Sequence, residues 1–426
     1  MDYVKRNIIG ILASWAKKEQ VIILTGARQT GKTTLCENLL PRYLNEPFTY
    51  ISFDDPDERL RFQTSAIAIL ESITAPLVIL DEVQKIPSLF DSLKYVVDQK
   101  KRKGGIFGNT FILTGSSQLM LLKSVKETLA GRAALLHLYP FSLSETLESD
   151  SAPLLTKIWS ENKLIQKNLQ IIDTMSPDKI RTAERIRNEH QTWGGYPPVW
   201  QRKEEPDKIK WLKDYRKTYL ERDISDVGQV ANIDLFALTQ KLLCARTGQL
   251  FSISEVAREL SLTVNTVKRY ISLLNMSFQC YLLAPYYENI GKRFIKRPKI
   301  FFPDAGLNRA ILGEMGIGPG AAYESWVFSE LVKWKQLQPI EPDLFFYRSS
   351  GGMEIDFLIA GEGRIVPIEA KTSDKVSYAD GRHLESFVTG HKKAAPFGLV
   401  VYPGRELVEI RKNIWAVPDW ALLGGI

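Results

Sequence analysis

The chain has 426 residues, 44% of them hydrophobic and 25% charged, with a net charge of +7 at pH 7. That length suits about three domains, and the mild basic excess permits a nucleic-acid partner without requiring one. Three scattered cysteines and four unclustered histidines exclude a disulfide framework and a zinc site, so a reducing, cytoplasmic setting is expected. The first residues carry no apolar core of signal-peptide length, and no stretch is apolar enough for a membrane span.

Val21-Ile-Ile-Leu-Thr25 is a β-branched run that predicts a buried strand, and a helix is expected from Leu35 to Leu40. Between them lie Gly26, Ala27, Arg28, Gln29, Thr30, Gly31, Lys32, Thr33 and Thr34, with the phosphate-binding spacing Gly-x4-Gly-Lys-Thr. Unpaired amides and the positive end of the helix dipole suit a triphosphate there. The glycines let the backbone wrap phosphates, Lys32 can reach the β and γ oxygens, and the Thr33 hydroxyl can ligate Mg²⁺. The segment therefore predicts binding of a nucleoside triphosphate, taken as ATP.

Phe48 to Phe53 predicts a second strand. Leu77-Val-Ile-Leu-Asp81-Glu82 predicts a central parallel strand delivering two acids at its carboxyl end, where ligands of open α/β sheets gather. Asp81 is placed to hold the Mg²⁺ shell, and Glu82 to polarise an attacking water. Phe111 to Thr114 predicts a strand leading to Ser116 and Ser117, candidates for bonding the γ-phosphate or the water. Arg132 precedes a fifth strand expected over Ala134 to Tyr139. It is a candidate for stabilising charge on the transferring phosphoryl group, in its own site or in a neighbour's within a homo-oligomer.

The ordered set Gly26 to Thr33, Ile79-Leu-Asp-Glu-Val-Gln84, Leu113-Thr-Gly-Ser-Ser117, Ala130-Gly-Arg132 and Tyr139-Pro-Phe-Ser-Leu-Ser-Glu145 resembles a group of prokaryotic AAA-type ATPases. Members of that group carry a carboxy-terminal domain of unknown function related to restriction endonucleases. The resemblance implies an AAA+ core in which Lys32, Thr33, Asp81 and Glu82 hold their usual roles.

From Glu145 to about Arg246 the chain is charged and helix-compatible, interrupted at Trp193-Gly-Gly-Tyr-Pro-Pro198. This reads as a helical lid, with the Gly-Gly-Tyr-Pro loop serving packing. Ser252 to Asn275 predicts a helix-turn-helix, with Ser252 and Glu255 as a capping box. Its second helix turns Val267, Ile271 and Leu274 inward and presents Asn265, Lys268, Arg269 and Ser272 outward, a set suited to DNA. Tyr281 to Pro285 and Lys299 to Phe302 would be wing strands. Between them Lys292, Arg293, Lys296, Arg297 and Lys299 form a basic run around Phe294.

Beyond Gly306 a helix is expected over Ala322 to Leu337, then strands Met353 to Ile359 and Ile365 to Lys371. If these pair across a two-residue loop at Glu362-Gly363, Asp356 lies opposite Glu369 with Cβ atoms about 4.5–5.5 Å apart. Lys371 shares their face, and Glu354 stands opposite Lys371. Two acids and a lysine there suit a Mg²⁺ site, with Lys371 orienting a water. The pattern resembles the PD-(D/E)XK nuclease fold, whose upstream helix often adds an acid: Glu324, with Glu330 in reserve. A binding-only nuclease fold and an ordinary ion-pair cluster are the alternatives.

The expected fold is α/β, with a P-loop parallel-sheet ATPase core over 1–145, a helical lid over 146–245, a winged helix over 246–303 and a restriction-endonuclease-like α/β domain over 304–426. The expected function is ATP hydrolysis coupled to DNA through the winged helix and the nuclease-like domain. The alternative is a nucleotide-dependent switch that binds protein partners without nuclease activity.

Overall fold

Five short segments of the amino-terminal part become one parallel sheet in a computed structural model. It describes residues 3–102, 109–115, 128–162, 175–226, 230, 232–287 and 297–425. Ser116, Ser117 and the basic stretch from Lys292 to Lys296 lie outside the described residues. The chain divides into two units, Met1–Pro140 and Phe141–Ile426.

In the first unit the strands are β1 (Val21–Thr25), β2 (Phe48–Ser52), β3 (Leu77–Asp81), β4 (Thr110–Thr114) and β5 (Ala133–His137), in the order β2-β3-β4-β1-β5. Every residue of β1, β3 and β4 is buried, whereas β2 and β5 at the edges expose Phe48 and Leu135. In β1 and β3 the buried residues are bulky, largely β-branched apolar runs. Packed on the sheet, Phe62 and Leu70 of α3 (Pro56–Ser72) and Phe90 and Leu93 of α4 (Leu89–Arg102) join Val78, Leu80 and Phe111 in one core. The helix expected after the loop begins at Lys32–Thr34, passes through a π-helical turn at Leu35–Leu39 and resumes at Leu40–Leu44, together α2; α1 is Ile9–Ala16.

The second unit starts with a helical region: α5 (Leu143–Thr146), α6 (Pro153–Glu161), α7 (Pro177–Trp193), α8 (Pro197–Trp200), α9 (Glu205–Asp226) and α10 (Ile233–Ala245). The Gly194-Gly195 break between α7 and α8 has a steric cause. A Cβ on Gly195 would sit 2.2 Å from the Phe141 carbonyl oxygen, and one on Gly194 would meet the Asp304 carboxylate at 2.3 Å. Asp304 accepts from the amides of Gly195 and Leu307 at 2.9 Å each, so the loop is a packing joint.

Two helices, α11 (Ile253–Glu259) and α12 (Val264–Met276), follow beside a three-stranded antiparallel sheet of β6 (Gln249–Leu250), β7 (Tyr281–Leu283) and β8 (Lys299–Phe301), ordered β6-β8-β7. Thr263 caps α12 by accepting from the Thr266 amide at 3.1 Å. The capping box expected at α11 does not form. Ser252 Oγ pairs with Ser254 Oγ at 2.8 Å, and Glu255 reaches out to Arg297 at 3.1 Å.

The remainder holds α13 (Ala305–Leu312), α14 (Pro319–Lys335) and a mixed sheet of β9 (Asp343–Arg348), β10 (Glu354–Gly361), β11 (Arg364–Ala370), β12 (Gly398–Tyr402), β13 (Val408–Arg411) and β14 (Ile414–Pro418), ordered β13-β14-β12-β11-β10-β9. Helix α14 is buried without a break from Ser325 to Trp334. The β10-β11 hairpin closes at Glu362-Gly363, with φ of 50° and 76°, the positive pair that a twist-matched two-residue turn requires. Its register sets Gly361 opposite Arg364 and Phe357 opposite Ile368. Among the described residues no helix is long and apolar enough to cross a membrane.

Candidate functional site

The loop after β1 is shaped by three backbone positions in the left-handed half of conformational space: Gly26 at φ 152°, Gln29 at 63° and Gly31 at 92°. Gly26 has no substitute, since a Cβ there would lie 2.2 Å from the Leu138 carbonyl oxygen behind β5. Successive amides in such a curve form an anion-binding concavity at the start of α2. The Lys32 ammonium is buried at the centre and donates to the Gly26 and Ala27 carbonyls at 2.9 Å each. Burial pulls its pKa down to about 8, against the upward pull of Glu82 and Asp81.

Because β4 lies between β1 and β3, Asp81 at the end of β3 faces the loop across one strand width. Thr33 Oγ1 donates to Asp81 Oδ2 at 3.1 Å, and the Tyr50 hydroxyl donates to the same oxygen at 2.8 Å. Thr114, the last residue of β4, donates to Asp81 Oδ1. Glu82 follows in a left-handed conformation, φ 57°, unusual for a non-glycine residue and a form of strain that gathers at functional sites. Its carboxylate accepts from the Gln84 side-chain amide. Lys32, Thr33, Asp81 and Glu82 are thus brought together.

Arg132 is not with them. It stands at the start of β5, whose first residue pairs with Val21, while the loop leaves β1 after Thr25. One strand length separates the two, and Arg132 is engaged with Asp98 of α4 through a fork of 2.8 and 3.1 Å. Arg132 therefore stands at the end of the sheet away from its own unit's nucleotide loop.

Sequence reasoning also missed several partners. Arg6, buried, ties the loop to the β5 side by donating to the Thr30 carbonyl at 2.8 Å and to the Tyr139 carbonyl at 2.6 Å. Nothing in its spacing announces this. Thr114 was signalled only by its position at the end of β4, and Tyr50 by its place in β2.

In the second unit Asp356 and Glu369 meet as the register demanded. Glu369 is pushed well above the usual carboxylate range by burial, then by Asp356 beside it. Asp356 Oδ2 accepts from the Ala370 amide at 2.9 Å, and Lys371 Nζ lies 3.8 Å from Glu369. Glu324 of α14 joins them, its carboxyl pushed up to about 7 by burial and by the Asp356 charge. Glu330 does not. It is buried elsewhere, accepting from the Leu143 amide at 2.8 Å and paired with Lys333 at 2.7 Å.

One group in this cluster was unforeseen. Lys299 of β8, expected in an exposed basic run, is only 3% exposed, and its ammonium lies 3.0 Å from Glu324, 2.8 Å from Glu354 and 3.9 Å from Asp356. Burial pulls its pKa down, but Glu324, Asp356 and Glu354 more than offset that and hold it above the ordinary lysine value. Glu354, expected opposite Lys371, is turned to Lys299 instead. Of the acids expected to ligate Mg²⁺, Glu324 and Asp356 already face a resident cation, and the described residues include no group of three or more ligating side chains placed to hold a metal. The cluster does not fit a divalent ion.

Comparison with known proteins agrees with the first unit's geometry. Residues 18–147 match an AAA domain model, residues 184–316 match the domain of unknown function DUF8612, and residues 319–422 match the domain of unknown function DUF4143. The uncharacterized protein Rv2008c of Mycobacterium tuberculosis is 27% identical over 423 residues, covering 97% of this chain and 83% of that protein. The uncharacterized protein MJ1544 of Methanocaldococcus jannaschii is 23% identical over 355 residues, covering 81% of this chain and 73% of that protein. Among solved structures, the ADP form of the Aeropyrum pernix ORC2 protein aligns with 66% of this chain and 87% of its own length at 15% identity, with a TM-score of 0.31, at which the likeness carries no argument. Along the chain, then, a match to an AAA domain is followed by matches to two domains of unknown function, DUF8612 and DUF4143.

Proposed function

We propose that this chain binds ATP with Mg²⁺ at 26–34 and hydrolyses it. The observation that carries the reading is the convergence of the Lys32 ammonium, the Thr33 hydroxyl and the Asp81 carboxylate at one loop. Thr33 Oγ1 and Asp81 Oδ2 are 3.1 Å apart, close to the roughly 3 Å between neighbouring ligands of an octahedral ion with bonds of about 2.1 Å. Those two groups would hold the Mg²⁺, which when bound neutralises phosphate charge. Lys32 meets the β and γ oxygens, Gly26 to Thr34 supply amides, and Glu82 prepares water for attack on the γ-phosphate. Arg132 serves a neighbouring copy, and Ser116 remains a candidate sensor outside the described residues. Titration with labelled ATP and Mg²⁺ tests this. Saturable binding lost in Lys32→Ala, and turnover lost in Glu82→Gln with binding kept, are expected; binding that survives Lys32→Ala refutes it.

The reading extends to DNA through α11, α12 and β6 to β8, taken as a winged helix. Its support is the outer face of α12, where Asn265, Lys268, Arg269 and Ser272 are exposed while Val267, Ile271 and Leu274 are buried. Anisotropy with labelled duplex DNA should show salt-dependent binding, weakened at least tenfold by Lys268→Glu with Arg269→Glu. The second reading is a nucleotide-dependent switch for protein partners, without a nuclease centre at Asp356, Glu369 and Lys371. The ion pairing of Lys299 with Glu324 and Glu354 favours it over metal-dependent cleavage.

A further inference from the structure

We propose that Lys299 is the permanent cation of the Glu324, Glu354, Asp356 and Glu369 cluster, standing where a divalent ion would otherwise be needed. The carboxyl groups would then form an ionic joint between the domain at 184–316 and the domain at 319–422, closed to metal.

The placement of Lys299 follows from the packing around it. Lys299 and Phe301 are two apart on β8 and share a face. Phe301 stacks on Phe328 of α14 at 4.4 Å between ring centres and lies 5.9 Å from Phe357 of β10. On α14, Glu324 and Phe328 are four apart and so lie one above the other. On β10, Asp356 directly precedes Phe357 and Glu354 lies three residues before it, and the pairing with β9 shifts register between Ile355 and Leu358. With the three phenylalanines packed together, the ammonium of the lysine two residues before Phe301 meets Glu324, Glu354 and Asp356. Its ammonium also rests 5.6 Å from the Phe346 ring centre. The aromatic stack thus fixes the ammonium among the acids.

Charge explains the exclusion of metal. A divalent ion needs carboxylate oxygens free to turn toward it. Here Glu324 and Glu354 are drawn to one ammonium at 3.0 and 2.8 Å, and Asp356 Oδ2 is bound to a strand amide. Entry of a second cation would place two positive charges beside a buried third. Removing Lys299 would leave buried acids uncompensated, and a metal ion could then stabilise them.

The experiment is titration of the full chain with Mn²⁺ alone, without nucleotide, followed by water-proton relaxation. Thr33→Val with Asp81→Asn, present throughout, removes the separate ion position at the nucleotide loop. In that background, binding unaffected by Asp356→Asn is expected, and Lys299→Met should gain one Mn²⁺ bound at least tenfold more tightly, lost again on adding Asp356→Asn. A site in the Lys299-containing chain that Asp356→Asn abolishes overturns the proposal, as does a folded Lys299→Met that gains nothing. Should Lys299→Met not fold, the Asp356→Asn comparison decides alone. Because no nucleotide is present, the result is independent of whether the chain hydrolyses ATP.

Discussion

The imidazole of His190 offers a measurable test of how the second unit is held together. His190 is buried in α7, with Nε2 2.8 Å from the Phe141 carbonyl and Nδ1 2.9 Å from the Trp326 indole nitrogen. An indole N–H only donates, so Nδ1 must be the bare acceptor and Nε2 carries the proton. Protonating Nδ1 would set a second hydrogen against the indole N–H. It would also add charge near Lys333, whose ammonium donates to the same Phe141 carbonyl at 2.9 Å. Burial, then Lys333, pushes the His190 pKa down from 6.5 to about 4. Between those values the unfolded chain holds a proton that the folded chain refuses. The stabilisation is therefore whole above pH 6.5 and declines as pH falls, disappearing near pH 4. At about 1.4 kcal/mol per pH unit, the loss is about 3 kcal/mol. The perturbation is acidification from pH 7 to 4, compared between the wild type and His190→Phe. NMR titration of four histidines should show one that stays neutral to about pH 4. Urea unfolding should show the wild-type advantage over His190→Phe shrinking by about 3 kcal/mol. A His190 that titrates near 6.5, or a difference independent of pH, refutes the reasoning.

Gly195→Ala should lower the melting temperature at a cost of about 1–3 kcal/mol, because its Cβ meets the Phe141 carbonyl at 2.2 Å; an unchanged calorimetric midpoint contradicts the packing argument. Arg187→Met should destabilise by about 3–5 kcal/mol. It strands the fully buried Asp419, now held by Arg187 at 3.0 Å and the Tyr323 hydroxyl at 2.9 Å. Adding Asp419→Leu should recover most of that loss in denaturant titrations, and failure to recover would locate the damage elsewhere. Thr114→Val removes the hydroxyl that orients Asp81, and a hydrogen bond to a charged group is worth about 1.5–3 kcal/mol. Mg²⁺-dependent ATP affinity should fall roughly ten- to hundredfold, while Mg²⁺-free affinity stays as it was.

The nucleotide loop was legible in the sequence because its chemistry is local. Nine consecutive residues set backbone conformation, helix start and lysine position, and nothing distant is needed to recognise them. The β10-β11 register was legible for a similar reason. A two-residue turn leaves only one pairing, so Asp356 and Glu369 had to meet. The burial of β1 and β3 was equally plain from their bulky, largely β-branched apolar runs.

What only the tertiary structure decided concerns groups whose partners lie far along the chain. Lys299 reads as one more member of a basic run until three phenylalanines from β8, α14 and β10 stack and carry it among buried acids. Arg132 reads as a phosphate-facing arginine until the parallel order of β1 and β5 puts it at the opposite end of the sheet, held by Asp98. Spacing along a chain specifies which side chains share a face. Which charge those side chains finally meet is settled by packing between distant segments, where burial makes an unpaired ion too costly to keep.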